Sequence, residues 1–95
     1  MKEKSEFQII FSPHFEKVVR KLKRKKPDLV REISLRLPRL TRNPELGKPL
    51  THELRAYRRL HISGSHVLLY EIHDNEVRLI DFDHHDRVYE KYSKW

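Results

Sequence analysis

Histidine is concentrated in the second half of the chain, together with the adjacent arginines Arg58 and Arg59. Four of the seven histidines lie in or around the predicted strands there, and a tyrosine follows the last of them by four residues: His52, His61, His84, His85 and Tyr89. Cleavage of RNA by its own 2′-hydroxyl needs a base, an acid and positive charge near the phosphorus. Histidine suits the first two because its unperturbed pKa is about 6.5. Arginine suits the third because its planar, permanently charged group matches phosphate oxygens.

The string Tyr57 to Ile62 alternates in the way that a strand requires. Strand side chains repeat every two residues, so Arg59 and His61 share one face with Tyr57, and Leu60 shares the other with Ile62. An arginine beside a histidine is the pairing that RNA cleavage needs. An alternative interpretation is that the two residues are simply the solvent-exposed polar face of an amphipathic strand. The remaining histidines, His14, His66 and His73, are interpreted as surface or turn residues.

The first half of the chain reads as a strand and two helices. FQIIF is rich in β-formers, and Ser12 and Pro13 then supply a helix N-cap and a first-turn proline. Apolar residues recur at helical spacing as far as Lys25, with lysine and arginine on the other side. A second helix starts at Pro27 and forms an antiparallel hairpin with the first. Pro38 is expected to kink it or end it early.

The second half reads as a meander followed by a helix. An ordered loop covers residues 43–49, and strands are predicted at residues 57–62, 66–73 and 77–82, with turns at Ser63-Gly64-Ser65 and Asp74-Asn75. The last segment, from His84, is predicted to be helical, which would place His85 and Tyr89 on one face. The fold class is therefore α+β, with an N-terminal strand, a two-helix hairpin, an antiparallel meander and a short C-terminal helix.

Composition limits the organisation and the partners. Ninety-five residues predict one domain, 1–95. The net charge of +7 favours an anionic partner, with nucleic acid first and an acidic protein segment second. Cysteine is absent, so disulfides and thiolate metal sites are excluded. No stretch resembles a signal peptide or a membrane span, and we expect a soluble, cytoplasmic protein with no membrane partner.

A metal site is weighed and not predicted. Five neighbouring side chains offer oxygen and nitrogen ligands: Asp81, Asp83, His84, His85 and Asp86. Along a strand these ligands alternate between opposite sides, and no second cluster completes a coordination shell. We therefore expect no metal and no other cofactor.

The order of elements, together with NPELGKPL, YRRLH, VLLYEI and HHDRVY, resembles the RelE/ParE toxin superfamily of type II toxin–antitoxin systems over essentially the whole chain. The histidine pattern is most similar to that of the YafQ toxins. The resemblance implies ribosome-dependent endonucleolytic cleavage of mRNA in the A site. It also implies a cognate antitoxin, of RelB or DinJ type with an acidic segment, that wraps the toxin.

The same resemblance assigns roles to residues. His52, His61 and His85 match histidines of the YafQ catalytic set, and Tyr89 matches its terminal aromatic. His85 and His61 are expected to act as general acid and base, in either order, and His52 to orient substrate.

The RelE branch uses lysine and arginine instead, and part of that set is present. Arg59 and Lys48 are expected to stabilise the phosphorane, with Arg58 and Arg87 as further phosphate ligands. The chain departs from the patterns at Ser65, where YafQ has an acidic residue, and at Val67, where arginine is common. The chain therefore looks intermediate between the histidine-based site of the YafQ toxins and the lysine- and arginine-based site of the RelE branch.

Two other functions fit the same sequence. A ParE-type toxin that inhibits gyrase has the same fold and needs no histidines. A non-catalytic RNA-binding or interaction module would use the basic surface alone.

Overall fold

The computed structural model describes residues 6–50 and 57–92. The fold is α+β, with five strands in one sheet and three α-helices in the described residues. In chain order the elements are β1 Gln8–Phe11, α1 Pro13–Lys25, α2 Pro27–Arg42, a 3-10 turn Pro44–Leu46, β2 Lys48–Pro49, β3 Tyr57–Ser63, β4 His66–His73, β5 Glu76–His84 and α3 His85–Tyr92. The predicted fold class and its order of elements are confirmed. The structure agrees closely with the predicted bounds of β4 and α1 and with the predicted start of α2.

A side-chain cap starts α1, and α2 continues past the proline at position 38. Ser12 Oγ accepts a hydrogen bond from the Phe15 N–H at 3.1 Å, which caps α1. Of the two effects predicted for Pro38, a kink or an early end of α2, the early end is wrong, because the helix continues to Arg42. Leu40 beyond the proline is fully buried in the core, so tertiary packing holds the last turn in place. The Thr41 hydroxyl also donates to the Pro38 carbonyl at 2.7 Å.

The sheet has the order β1-β5-β4-β3-β2. The last three long strands form the predicted antiparallel meander, and β2 adds to its outer edge by pairing Lys48 with Arg59. The strand β1 lies beside β5 and runs parallel to it. Because β1 pairs only with residues 76–79, the rest of β5 has no strand on that side within the described chain.

Different elements cover the two faces of the sheet. The α1–α2 hairpin packs on one face, with Phe15, Ile33 and Leu40 buried against the strands. The short helix α3 lies on the other face, where Val88 packs on Leu69 with other apolar side chains. Complete burial of side chains of this size contributes about 1.5–3 kcal/mol each. The hairpin therefore supplies most of the core, and α3 rests on a smaller apolar base.

Within residues 6–50 and 57–92, no helix is long and apolar enough to cross a membrane.

Candidate functional site

An open groove of about 430 Å³ lies on the α3 face of the sheet. Its walls come from the turn before β2, from β2 to β4, and from the first turns of α3. The lining residues are Leu46, Gly47, Lys48, Arg59, Leu60, His61, Val67, His85 and Tyr89. Two histidines, two cationic side chains and an aromatic ring from separate parts of the chain thus line one groove.

The positive charge in the groove comes from adjacent strands. Lys48 of β2 is paired with Arg59 of β3, so the two side chains are direct cross-strand neighbours. The Arg59 guanidinium carbon lies 5.1 Å from the centre of the Tyr89 ring, in cation–π geometry. Like charges placed opposite each other repel, and an anion between them relieves the repulsion. This part of the groove is therefore suited to a phosphate group.

The two histidines are held by different elements. His61 is an exposed residue of β3, opposite Val67 and next to a bulge that follows it. His85 opens α3, and its backbone N–H donates to the Ser65 carbonyl at 2.7 Å, which ties the start of the helix to the β3–β4 turn. The His85 Nδ1 lies 3.0 Å from Asp86 Oδ1. This contact occupies Nδ1 and leaves Nε2 for a substrate.

A buried tyrosine holds the turn that brings Lys48 to the groove. The Tyr70 hydroxyl donates to the Pro44 carbonyl at 2.6 Å and accepts from the Gly47 N–H at 2.8 Å. Burial raises the pKa of Tyr70, so the hydroxyl keeps the proton that it donates. A Cβ atom on Gly47 would lie 2.6 Å from the Arg59 carbonyl oxygen. Only glycine lets the turn approach β3 this closely.

A buried carboxylate attaches α3 to the sheet. Asp81 is 1% exposed, and its Oδ2 accepts from Lys91 Nζ at 2.6 Å and from the Tyr92 hydroxyl at 2.9 Å. Its Oδ1 lies 3.2 Å from His14 Nε2 of α1. Burial alone would raise the pKa of Asp81, but the hydrogen bonds from Lys91 and Tyr92 and from the backbone of Phe82 outweigh it and lower that pKa. Asp81 therefore stays ionised and joins α3 to both β5 and α1.

The structure brings together five of the residues predicted from the sequence: Lys48, Arg59, His61, His85 and Tyr89. It does not bring Arg58 to them. Arg58 lies on the opposite side of β3 by strand alternation, and its Nη1 donates to the Gly47 carbonyl at 2.6 Å. His52 lies outside the described residues. The roles predicted for Arg58 and His52 stay predictions.

Arg87 lines a second, larger groove of about 580 Å³ between α1 and α3, across the end of β5. Lysines of α1 and the residue after it form one wall, at positions Lys17, Lys21, Lys25 and Lys26. The His66 side chain also faces this groove, and burial, together with Lys26 and His84, lowers its pKa. This groove therefore combines positive charge with a buried, hydrogen-bonded carboxylate, Asp81.

Sequence reasoning missed the residues that position the site. Asp81 occupies an apolar position in the strand VRLIDF, which was the available signal for a buried carboxylate with partners. Tyr70 and Gly47 gave no local signal, because their contact joins residues 23 positions apart. None of the three lies among the proposed reacting groups: Tyr70 and Gly47 position the turn that carries Lys48, and Asp81 positions α3.

Comparisons with known proteins agree with this fold. A family model described as the ParE toxin of type II toxin–antitoxin systems matches residues 9–89. The chain is also 33% identical over 87 residues to a putative toxin, RelE4, of Methanocaldococcus jannaschii, which covers 90% of this chain and 93% of that protein. The chain is thus a small toxin of the RelE/ParE superfamily. Within it, the chain belongs to the ParE toxin family of type II toxin–antitoxin systems.

Solved structures with the same fold include toxins bound to their antitoxins. The RelBE2 toxin–antitoxin complex of Mycobacterium tuberculosis matches with a TM-score of 0.70 and 25% identity, over 88% of this chain and 97% of that one. The YoeB–YefM complex of Staphylococcus aureus matches with a TM-score of 0.71 and 23% identity, over 85% and 99%. The resemblance stated from the sequence is confirmed.

Proposed function

We propose that this toxin is an endoribonuclease that cleaves mRNA in the ribosomal A site, in the cytoplasm and without a metal cofactor. The observation that carries the proposal is the convergence of His61, His85, Arg59, Lys48 and Tyr89 on one groove. A surface that only binds needs no acid–base groups, whereas this groove has two imidazoles beside two cations. Its open shape admits a single strand of RNA.

The proposed reaction is attack of the 2′-hydroxyl on the neighbouring phosphorus. One imidazole, of His61 or His85, takes the hydroxyl proton while the new P–O bond forms. The other donates a proton to the departing 5′-oxygen as its bond to phosphorus breaks. The products are a 2′,3′-cyclic phosphate and a 5′-hydroxyl end, so the proton count balances without water or a metal ion.

The cations and the aromatic ring have separate roles in this proposal. Arg59 and Lys48 stabilise the charge that develops on the phosphorane oxygens, an effect worth about 2.7–4 kcal/mol for a well-placed donor. Tyr89 stacks on a base, and its cation–π contact holds the Arg59 guanidinium beside the ring. His52 keeps its predicted role in orienting substrate.

Primer extension on an mRNA held in programmed ribosomes tests the proposal. Wild-type protein should cut in the A site on ribosomes and leave free mRNA intact. His85→Ala and His61→Ala should each reduce the rate by about 10²–10⁴-fold, since each removes a proton-transfer group. His73→Ala is the matched control, because His73 is an exposed strand histidine at the far end of β4. Intact message with a well-folded wild-type protein would refute the nuclease function.

A second candidate function is gyrase inhibition, and one observation favours it. The matching family model is that of the ParE toxin. A gyrase inhibitor would block supercoiling by purified gyrase at concentrations where ribosome-bound mRNA stays intact. It would also be indifferent to His85→Ala, because no proton transfer is involved.

We further propose that the partner is an antitoxin of RelB or DinJ type with an acidic segment that orders on binding. The wall of lysines on α1 supports an oppositely charged chain, because complementary charge speeds and orients association. Exposed apolar side chains near the start of the chain and on α2, Ile10, Phe11 and Leu35, supply surface that a partner would cover. Equal susceptibility to limited proteolysis with and without the antitoxin would contradict this.

A further inference from the structure

We infer that His84, His85 and Asp86 form a binding site for a transition-metal ion of the zinc type, and that the bound ion switches off the groove by capturing His85. The inference of inhibition rests on the proposed nuclease function, whereas the inference of metal binding does not. The observation behind both is that the ligand atoms of these three residues lie within 4.8 Å of one another.

The sequence-based argument against a metal assumed that strand alternation continues through Asp86. It does not continue, because β5 ends at His84 and α3 begins at His85. The hydrogen bond from the His85 N–H to the Ser65 carbonyl, 2.7 Å long, lies at this change of direction. At such a junction the side chains of consecutive residues can lie close together, as the ligand atoms of these three do.

The five possible ligands separate into two groups. Asp81 is buried and bonded to Lys91 and Tyr92, and the Asp83 carboxylate accepts from the His84 N–H at 2.8 Å. Both carboxylates also lie beside the Lys91 ammonium group, which repels a cation. The remaining three, His84, His85 and Asp86, have side chains that are 41%, 46% and 74% exposed, so an ion reaches them without any opening of the fold.

The distances within the cluster are close to those of a metal site. Two ligands on one tetrahedral zinc ion lie about 3.3 Å apart, from bond lengths of about 2.0 Å. His85 Nδ1 lies 3.0 Å from Asp86 Oδ1, and His84 Nδ1 lies 3.8 Å from Asp86 Oδ2. The two imidazole rings are stacked, with centroids 5.1 Å apart and planes 30° from parallel. The ligand atoms, which all lie within 4.8 Å of one another, would move closer together to share one ion.

A hydrogen bond within the cluster orients His84. The Asp86 backbone N–H donates to His84 Nδ1 at 3.2 Å, and an ion that binds there would displace this donor from the single lone pair of the nitrogen. Two imidazoles and one carboxylate are a ligand set that suits Zn²⁺, Cu²⁺ or Ni²⁺ rather than Mg²⁺ or Ca²⁺. Three protein ligands leave a coordination position for solvent.

Metal binding has a direct consequence for the groove, because His85 belongs to both sites. An imidazole that coordinates an ion has no free lone pair to accept a proton and is not the imidazolium that would donate one, so it can serve neither as the base nor as the acid. His84 does not line the groove and is available for substitution. The cluster therefore allows metal binding to be removed while the cleavage machinery is left intact.

Isothermal titration with Zn²⁺ tests the site. Wild-type protein should bind one ion per chain, and His84→Ala should weaken the affinity by about tenfold or more. His73→Ala is the matched control, because His73 Nδ1 lies 3.6 Å from Asp74 Oδ2 and no second imidazole joins that pair among the described residues. Wild-type affinity in His84→Ala would overturn the site, as would an equal loss in His73→Ala.

Cleavage on programmed ribosomes tests the inhibition. Zn²⁺ should inhibit the wild type over the range in which it binds, and a chelator should restore the rate. His84→Ala should cleave at the wild-type rate and need about tenfold more Zn²⁺ for the same inhibition. Equal inhibition of both proteins, or full activity of zinc-saturated wild type, would overturn the switch. If the metal-free wild type cuts no message, the proposed nuclease function is wrong and so is its inhibition by metal. The titration tests the metal site independently of that result.

Discussion

Asp81 Oδ2 accepts a hydrogen bond of 2.6 Å from Lys91 Nζ, which joins the buried end of β5 to the last turn of α3. The helix that carries His85 and Tyr89 has only a small apolar base on the sheet, formed around Val88. This carboxylate therefore does much to hold the helix in place, and the position of the groove depends on it.

Asp81→Asn should lower the free energy of unfolding by about 2 kcal/mol, because it weakens charged hydrogen bonds in a buried site. Urea denaturation followed by circular dichroism at neutral pH measures this. Cleavage should fall as well, since α3 supplies two groove residues. Asp74→Asn is the control, because Asp74 lies exposed in the β4–β5 turn. Equal stability of the two variants would show that the Asp81 contacts do not hold α3.

The stability advantage of the wild type over Asp81→Asn should depend on pH. The folded-state pKa of Asp81 is lower than its ordinary value of 3.8, so its stabilisation is complete above that value. It should disappear as the pH falls below 3.8 and through the lowered pKa. Denaturation curves of both proteins across this acid range measure the difference. A gap that stays constant through the range would mean that Asp81 is not ionised in the fold.

Gly47→Ala should destabilise the turn before β2 by about 1–3 kcal/mol, because the added Cβ would overlap the Arg59 carbonyl. The shift would also move Lys48 away from Arg59 and reduce cleavage. Gly64→Asn is the control, since that turn has open space and asparagine tolerates its positive φ of 56°. Thermal melts and the primer-extension rate measure both effects. Wild-type behaviour of the Gly47→Ala variant in both measurements would refute the close approach.

Arg59→Ala should reduce cleavage by about 10²–10³-fold, because it removes a charge-stabilising donor from the groove. Arg59→Lys should recover only part of the rate, since lysine keeps the charge without the planar group that lies over Tyr89. Arg39→Ala, on the exposed side of α2, controls for the loss of one positive charge. Comparable rates for Arg59→Ala and Arg39→Ala would exclude a local role.

Tyr89→Phe separates stacking from hydrogen bonding. If the ring stacks on a base, Tyr89→Phe should cleave at close to the wild-type rate. Tyr89→Ala should lose about 1–3 kcal/mol of substrate interaction, seen as weaker binding of ribosome-bound message. A loss in Tyr89→Phe as large as that in Tyr89→Ala would assign the function to the hydroxyl instead. Because Val88 next to it is buried, denaturation curves should accompany both variants.

Most of the secondary structure was predictable because its signals are local. The Ser12-Pro13 cap, the helical spacing of apolar residues and the turns at Gly64 and Asp74 each depend on a few neighbours. The predicted early end of α2 at Pro38 was wrong, because Leu40 beyond it is buried in the core and keeps the last turn in place. That burial depends on residues far along the chain, which a local rule does not include.

The sequence by itself determined the chemical groups of the site and the face that Arg59 and His61 share, because strand alternation follows from the backbone alone. Only the tertiary structure decided which other groups join them. Pairing of β2 with β3 brings Lys48 to Arg59, and the packing of α3 brings His85 and Tyr89 to the same groove. Register and helix packing are set by buried contacts such as those of Tyr70 and Asp81. Those contacts join residues that are distant in sequence, so no local pattern specifies them.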